Sequence, residues 1–450
     1  MIGIVLLLLA LYLYFKPKYR YISYVLYIGF MIGYGGGYGI LTDSVIGVKN
    51  KDLAIIYTFV ISVHLLSNKL YNFPKANFIP WYKVFLLFLL CSVLFSFVHY
   101  GFSFIQILQG GRDFLLIFSL PILIRIKEHE LSRIMPSLIL ITTITSVLYI
   151  LQIIVGRPLM PYDGEPGFDA TVGLVRLYNS PPLLDLFLAL TFVTPHYFGK
   201  RVKILRVLYF ITLICTLGRT SIFSSIMVIV LSMLFLGKAS KMLKTIAIVG
   251  ILFIPFIGII SDRFEKGGTS EDFSSISSGN FINYDRSEDG GTMTYRIAWV
   301  YERFDYLLDR PLGEKIFGLG LISESQDIVY KMYRFTVGNI VSDRGVPTQL
   351  TTPDIAYGNI LSRLGFVGGF IYLCLFVNIA LFLYKNRWQN ALVVVSAAQM
   401  IMLFVVSMSG SALSEPRNLV TYFMAMATIF QQYSKSSFSQ EKDKYLFRNL

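Results

Sequence analysis

Long apolar runs separated by short charged loops set the pattern of this chain, and one polar stretch interrupts it. Runs of ~18 or more mainly apolar residues predict membrane-spanning helices, because ~20 residues at ~1.5 Å rise cross a ~30 Å hydrocarbon layer. Thirteen runs fit, at roughly 1–15, 21–40, 53–68, 82–99, 112–125, 133–155, 181–198, 203–217, 219–237, 242–261, 356–384, 390–409 and 418–432. Backbone groups in lipid need internal partners, so helices are expected. The runs are continuous rather than alternating, which argues against a β-barrel. The run at Met1 lacks a charged start and a small-residue cleavage site, and reads as a retained helix.

The polar stretch is 262–353. Asp262, Glu265, Glu271, Asp272, Asp285, Glu288 and Asp289 open its acidic content, and ten lysines and arginines accompany them. Its first part, Gly267 to Gly291, is rich in Ser, Gly, Asp and Asn and reads as irregular loop. An amphipathic helix follows, with Ile297, Val300, Tyr301, Phe304, Leu307 and Leu308 at helical spacing. Arg296, Arg303 and Asp305 lie off that stripe or beside it. Proline disfavours a helical residue ahead of it, so the helix should stop before Pro311. Gly313, Gly318 and Gly320 predict a turn-rich connection, and a new helix should begin near Asp354.

Composition agrees. The chain is 55% hydrophobic and 15% charged, with mean hydropathy +0.62, outside the range of an ordinary soluble domain. Its net charge of +13 would suggest nucleic acid in a soluble protein. Here the basic residues sit in alternate short loops, as at Lys16-Lys18-Arg20, Lys69-Lys75-Lys83, Arg125-Lys127-Arg133, Lys200-Arg201-Lys203 and Lys385-Arg387. That regularity orients a membrane protein with those loops in the cytoplasm, and no nucleic-acid partner is expected. The expected organisation is a bundle at 1–261 with an outer loop at 156–180, a large outer loop at 262–355, further spans at 356–432 and a cytoplasmic tail at 433–450. The N-terminus then lies outside and the C-terminus inside. Glycines between Gly33 and Gly39 read as a packed helix end.

Little conventional chemistry is visible. Cys91, Cys215 and Cys374 are lone thiols in apolar runs. His64 reads as mid-span, His99 as an outer helix end, and His129 and His196 as cytoplasmic; no pair has metal spacing. There is no GxxxxGK[ST] loop for ATP and no Asp-x-Asp pair for a metal-held nucleotide sugar. No cofactor is expected, and a glycosyl donor would be lipid-linked.

Four arginines fall at or near the outer face: Arg112, Arg176, Arg219 and Arg296. Arg219 is the sharpest, since it sits in a tight turn between two apolar spans. A charge there is costly and faces a cavity or a partner. It can snorkel or pair, or it can bind an anion, and phosphate is the natural target of a bidentate guanidinium. Arg112 precedes Asp113 and reads as half of a local ion pair. Asp354 can cap the helix that it precedes, or act as a general base toward a hydroxyl. Tyr357 lies one turn on and can face the same cavity.

Four segments resemble the O-antigen polymerase (Wzy-type) and O-antigen ligase superfamily of polytopic bacterial membrane proteins. Val172 to Pro181 is similar to that family's outer loop with its arginine. Thr216-Leu217-Gly218-Arg219-Thr220-Ser221 is similar to its Ser-Arg-small helix opening. Arg296-Ile297-Ala298-Trp299, with Pro311 and Gly318-Leu319-Gly320, resembles its large-loop Arg…Trp…Pro…Gly-x-Gly region. Asp354-Ile355-Ala356-Tyr357, with Gly365 and Gly368, resembles its His-Asn-x-Tyr…Gly-x-x-Gly helix start. The likeness covers about 172–370.

The resemblance implies an all-α, GT-C-like glycosyltransferase of 12–13 transmembrane helices in a bacterial inner membrane. It implies transfer of glycan from undecaprenyl diphosphate to a lipid-linked acceptor at the periplasmic face, without metal, alongside a flippase and a chain-length regulator. Arg176, Arg219 and Arg296 would then hold the diphosphate, Asp354, Arg219 and Arg296 would act in catalysis, and Tyr357 and Arg112 would line the substrate cavity. The ligases carry histidine where Asp354 stands, which favours a polymerase over a ligase onto lipid A core. A flippase or transporter is the reading from another class. It would show internal pseudo-symmetry, and none is visible.

Overall fold

The computed structural model describes residues 2–33, 49–69, 73, 75–160, 167–169, 174–177, 180–237, 240, 242–243, 246–247, 250, 277–279, 281–282, 292–341, 345–415 and 419–447. The glycines from 35 to 39, most of the 262–291 loop and most of the run at 242–261 lie outside these residues.

The described chain is mostly helical, with two short antiparallel hairpins as its β-structure. Helices α1 (Ile2–Tyr14), α2 (Arg20–Ile32), α3 (Asn50–Ser67) and α4 (Phe78–Tyr100) lead to α5 (Phe104–Leu115), α6 (Leu120–Leu123) and α7 (Glu128–Val155). The hairpin of β1 (Gly167–Asp169) and β2 (Leu174–Arg176) precedes α8 (Leu184–Val193), α9 (Val202–Cys215) and α10 (Arg219–Phe235). The polar segment contributes α11 (Thr292–Leu308), α12 (Leu312–Phe317), α13 (Asp327–Met332) and the hairpin of β3 (Ile340–Val341) and β4 (Val346–Pro347). Then come α14 (Ala356–Lys385), α15 (Ala391–Val406) and α16 (Leu419–Phe447).

Three helices, α4, α7 and α14, are long and apolar enough to cross a membrane, and α1, α2, α8, α10 and α15 are shorter apolar helices. This is the architecture of an all-α membrane protein. Local chemistry explains several boundaries. Ser103 and Gln106 bond each other's backbone N–H to open α5, and Asn390 accepts from Val393 N–H to open α15. Gly101 and Gly156, both at positive φ, close α4 and α7.

Five expectations need correction. The run at 112–125 is a broken element, with α5, a 3-10 turn at Leu116–Ser119 and α6 in succession. The run at 181–198 yields only the ten-residue α8, because Pro181, Pro182 and Pro195 bound it. Gly313 lies within α12 rather than in a turn. The tail predicted to start after Tyr433 continues α16 to Phe447. His64 also falls in the last turn of α3, not mid-span.

The described polar segment folds down onto the bundle. Its centre is Arg303, which is 0% exposed. The guanidinium lies between the Trp299 and Phe335 rings, 4.0 and 4.4 Å from their centroids. It donates to the carbonyls of Trp299, Thr348 and Gln349 and to Glu302 at 2.7 Å. Burial pushes this arginine down to about 10, with Glu302 opposing, so it remains charged at neutral pH. Glu302 also accepts from the Thr336 and Val337 N–H groups. Glu324 accepts from three consecutive N–H groups, Gln349, Leu350 and Thr351, at 2.6–2.9 Å. These carboxylates satisfy irregular backbone that would otherwise be orphaned.

Glycines let the segment approach closely. Gly365 interrupts α14 at φ 66°, ψ −169°. There it meets Gly318, itself at φ +77°; a Cβ on Gly365 would lie 2.5 Å from the Gly318 nitrogen. Leu319 N–H donates to Ser362 O at 2.7 Å, and Tyr100 Oη donates to Gly318 O at 3.0 Å. Trp299 fills the space above Gly358, where a Cβ would come within 2.2 Å of its ring. The end of the bundle carrying this segment is called the upper end below.

Candidate functional site

At the upper end, two distant parts of the sequence meet on one turn of chain. Leu217, at φ +52°, and Gly218 form the tight turn ahead of α10, so Arg219 is its first residue. One residue on, the Thr220 hydroxyl lies 3.2 Å from that of Ser409. The start of α14 reaches the same turn: Ala356 N–H donates to Ser407 O at 3.0 Å, and Tyr357 Oη donates to Phe404 O at 2.8 Å. The end of α15 and the turn after it thus bring the Arg219 region and the Asp354 region together. Arg219 is half-buried there.

Asp354 does not cap α14. The capping position belongs to Ile355, which makes no side-chain capping bond. The Asp354 Oδ2 instead accepts from Asn339 Nδ2 at 2.9 Å and from the Thr352 hydroxyl at 3.1 Å. Both bonds orient the carboxylate, and among the described residues both fall on Oδ2. The cap reading fails because the chain turns at 353–354 in a bend held by Thr352, not in the first helical turn.

Arg296 lies on α11, half-buried, beside a cluster of Trp299, Val337 and Ile355 against which Tyr295 and Tyr357 pack. Its Nε is buried with no hydrogen-bond partner among the described residues. Arg176 pairs with Gly167 in the β1–β2 ladder, and its side chain lies outside the described set.

Two expectations change. Arg112 does not pair with Asp113. Arg112 faces Asp52 at 3.5 Å and Asp113 bonds Lys51 at 2.7 Å, both across to the start of α3, because adjacent helical residues point apart. The Tyr357 hydroxyl is engaged by the Phe404 carbonyl rather than presented to a cavity. Tyr357→Phe should therefore lower stability by about 0.5–1.5 kcal/mol. Thermal unfolding of the purified protein in detergent would register that small drop, and an unshifted midpoint would mean that the bond carries no stability.

A cavity of about 340 Å³ opens beside this turn, among α8, α9, α10, α15 and α16. Asp185, Gly218, Ser221, Ser224, Gln399 and Thr421 supply polar lining. It reaches down the bundle, since Gln399 and Val406 both line it and lie ~10 Å apart along α15. The approach to α8 is irregular chain at depth: Pro182 O accepts from the Thr142 hydroxyl at 2.8 Å, about half-way along α7. Leu183 takes φ +56° just before the helix. Non-helical backbone at such depth is tolerated where it is buried in protein or lines a cavity.

Sequence reasoning missed Asp185. The signal was present: an ionisable residue inside an apolar run is unusual by itself. Ser221, Ser224 and Ser225 at helical spacing on α10 were a second sign. His99 was dismissed, yet its Nε2 lies 3.3 Å from the buried Glu314, which Arg310 also grips at 2.7 and 3.2 Å. Among the described residues no cluster of His, Cys, Asp and Glu could hold a metal ion, and Cys91, Cys215 and Cys374 are free thiols.

Against known proteins, no family model matches the chain and no curated protein matches it, so the geometry of the upper end carries the functional argument.

Proposed function

We propose that this protein is a membrane-embedded glycosyltransferase that polymerises undecaprenyl-diphosphate-linked oligosaccharide repeat units at the periplasmic face of a bacterial inner membrane. The observation that carries this reading is the convergence of the Arg219 turn and the Asp354 bend on residues 404–409, beside a polar cavity. A base and an anion binder are the two roles that such a transfer needs.

In this mechanism an acceptor sugar hydroxyl attacks the anomeric carbon of the donor glycan. The bond from that carbon to the diphosphate oxygen breaks, and the lipid diphosphate departs with the electron pair. Asp354 takes the hydroxyl proton on Oδ1 while Asn339 and Thr352 hold Oδ2. Arg219, with Arg296 and Arg176, offsets the charge that develops on the diphosphate. Arg112 stays with Asp52 and takes no part.

The test is a deletion strain, read by gel analysis of surface polysaccharide with lipid-linked intermediates extracted alongside. Acceptor molecules carrying a single repeat unit, with no ladder, are expected. Full-length polymer stranded on the lipid carrier would instead make the protein a ligase, and units trapped on the cytoplasmic face would make it a flippase. Within the same strain, Arg219→Lys should cut polymer formation about tenfold or more, about 1.4 kcal/mol, since lysine keeps the charge but not the bidentate fork. Wild-type ladders from that variant would remove diphosphate recognition from Arg219.

A further inference from the structure

The 340 Å³ cavity opens beside the Arg219 turn, and its walls are specific. They contain one carboxylate, one carboxamide and several hydroxyls, together with apolar surface from Pro182, Leu184 and Met402. Among the described residues no Lys, Arg or His lines the cavity, which disfavours an anionic group against these walls. A lipid tail would leave the polar wall unsatisfied.

Two details point to a ligand rich in hydroxyls. The Oε1 of Gln399 is buried with no hydrogen-bond partner among the described residues. Such an atom in a folded protein asks for a ligand or a water. The Ser225 hydroxyl donates to Asp185 Oδ1 at 2.5 Å, which fixes the carboxylate at the cavity wall. Carboxylate and amide oxygens accept, and so match hydroxyl donors, while the apolar surface suits the C–H faces of a ring. The volume sits at the low end of the ~300–1,000 Å³ typical of small-molecule pockets, room for a ring or two but not for a whole repeat unit.

We propose that this cavity is a sugar subsite. It receives a neutral, hydroxyl-rich ring of the lipid-linked glycan, with Asp185 and Gln399 as anchors and Ser221 at the wall. The assignment rests on the lipid-linked glycan reading and adds to it where that glycan is gripped apart from its diphosphate.

The experiment uses the full chain in lipid nanodiscs. Cys91, Cys215 and Cys374 are replaced by serine, and Ser221→Cys places a thiol at an exposed position of the cavity wall. Its rate of reaction with a small neutral methanethiosulfonate is measured with and without the phosphate-free oligosaccharide released by mild acid from the host's own repeat unit. The oligosaccharide should slow labelling several-fold. Asp185→Asn and Gln399→Leu, added singly, should abolish that protection and leave the unprotected rate unchanged. Ser224→Cys, one turn along α10, is the second reporter should the first variant fail to fold.

Protection by undecaprenyl diphosphate without sugar, but not by the oligosaccharide, would overturn the proposal in favour of a carrier-lipid site. Protection by sodium chloride alone would overturn it in favour of a cation site, and so would a complete lack of protection by any probe. The deletion-strain ladder separates the parent reading. A ladder that persists there sinks the polymerase and leaves a protected thiol as proof of a sugar cavity. A ladder that vanishes, with an unprotected thiol, sinks the subsite alone.

Discussion

Gly365→Ala should abolish the folded protein. At φ 66° an L side chain strains the backbone by roughly 1–2 kcal/mol before any contact is counted. The new Cβ would then lie 2.5 Å from the Gly318 nitrogen and 2.7 Å from the carbonyl oxygens of Ile316 and Lys315. All three are main-chain atoms, so no rotamer change relieves the clash. The whole 315–319 turn must lift off α14, with loss of the Leu319-to-Ser362 bond at 2.7 Å. Together these exceed about 4 kcal/mol, the range reserved for the most disruptive substitutions. Fluorescence-detected size exclusion should show aggregate in place of a single peak. Gly101→Ala is the control. Its φ is +67°, but no atom lies within 4 Å of the new Cβ, so only about 1–2 kcal/mol of backbone strain applies. Equal behaviour of the two variants would show that the backbone contact between the polar segment and α14 is not what holds them together.

Arg303→Met is expected to be nearly as damaging, by about 3–5 kcal/mol. Methionine fills the slot between Trp299 and Phe335 but donates nothing. The carbonyls of Thr348 and Gln349 would lose their arginine donor, and the Oε2 of Glu302 would keep only the Val337 N–H. Arg303→Lys should fall between, since an ammonium keeps the charge but cannot span two carbonyls and a carboxylate in one plane. Thermal unfolding followed by tryptophan fluorescence reads this directly, because Trp299 lies against the altered residue. A wild-type midpoint for Arg303→Met would mean that this buried cation is dispensable to the segment.

The helical membrane character was legible in the sequence, because continuous apolar runs of sufficient length leave few other solutions. The amphipathic helix was legible too. Its position and its stop before Pro311 match α11 at Thr292–Leu308, but the buried face runs through Ala298, Trp299, Arg303 and Leu307, while Phe304 and Leu308 of the expected stripe are exposed. Other features depend on partners far away in sequence, which periodicity cannot reveal. The run 356–384 reads as one helix, and only the backbone of Gly318 explains the break at Gly365. Arg303 reads as an off-stripe surface residue, since nothing local says that Phe335 will cover its other face. At the candidate site, Arg219 and Asp354 were legible as charges beside spans. Their meeting on residues 404–409 was not, because 135 positions separate them and the connecting turn is made of unremarkable Ser and Phe. Asp185 was legible and overlooked, hidden by the hydrophobicity of its neighbours.

The bonds that stitch the bundle together also set a timetable for its assembly. Ser96 on α4 receives the Leu321 N–H, and the Gly110 carbonyl on α5 receives Arg363. The partners lie 225 and 253 residues later in the chain. At ~5–20 residues per second of synthesis, the early helices wait roughly 10–50 s for the groups that complete them. The first half of the chain therefore emerges as an unfinished half-mould with polar atoms facing an interior that does not yet exist. Both late partners, Leu321 and Arg363, lie in the last third of the chain, so the bonds that tie α4 and α5 to the later segment close only once that third has been made.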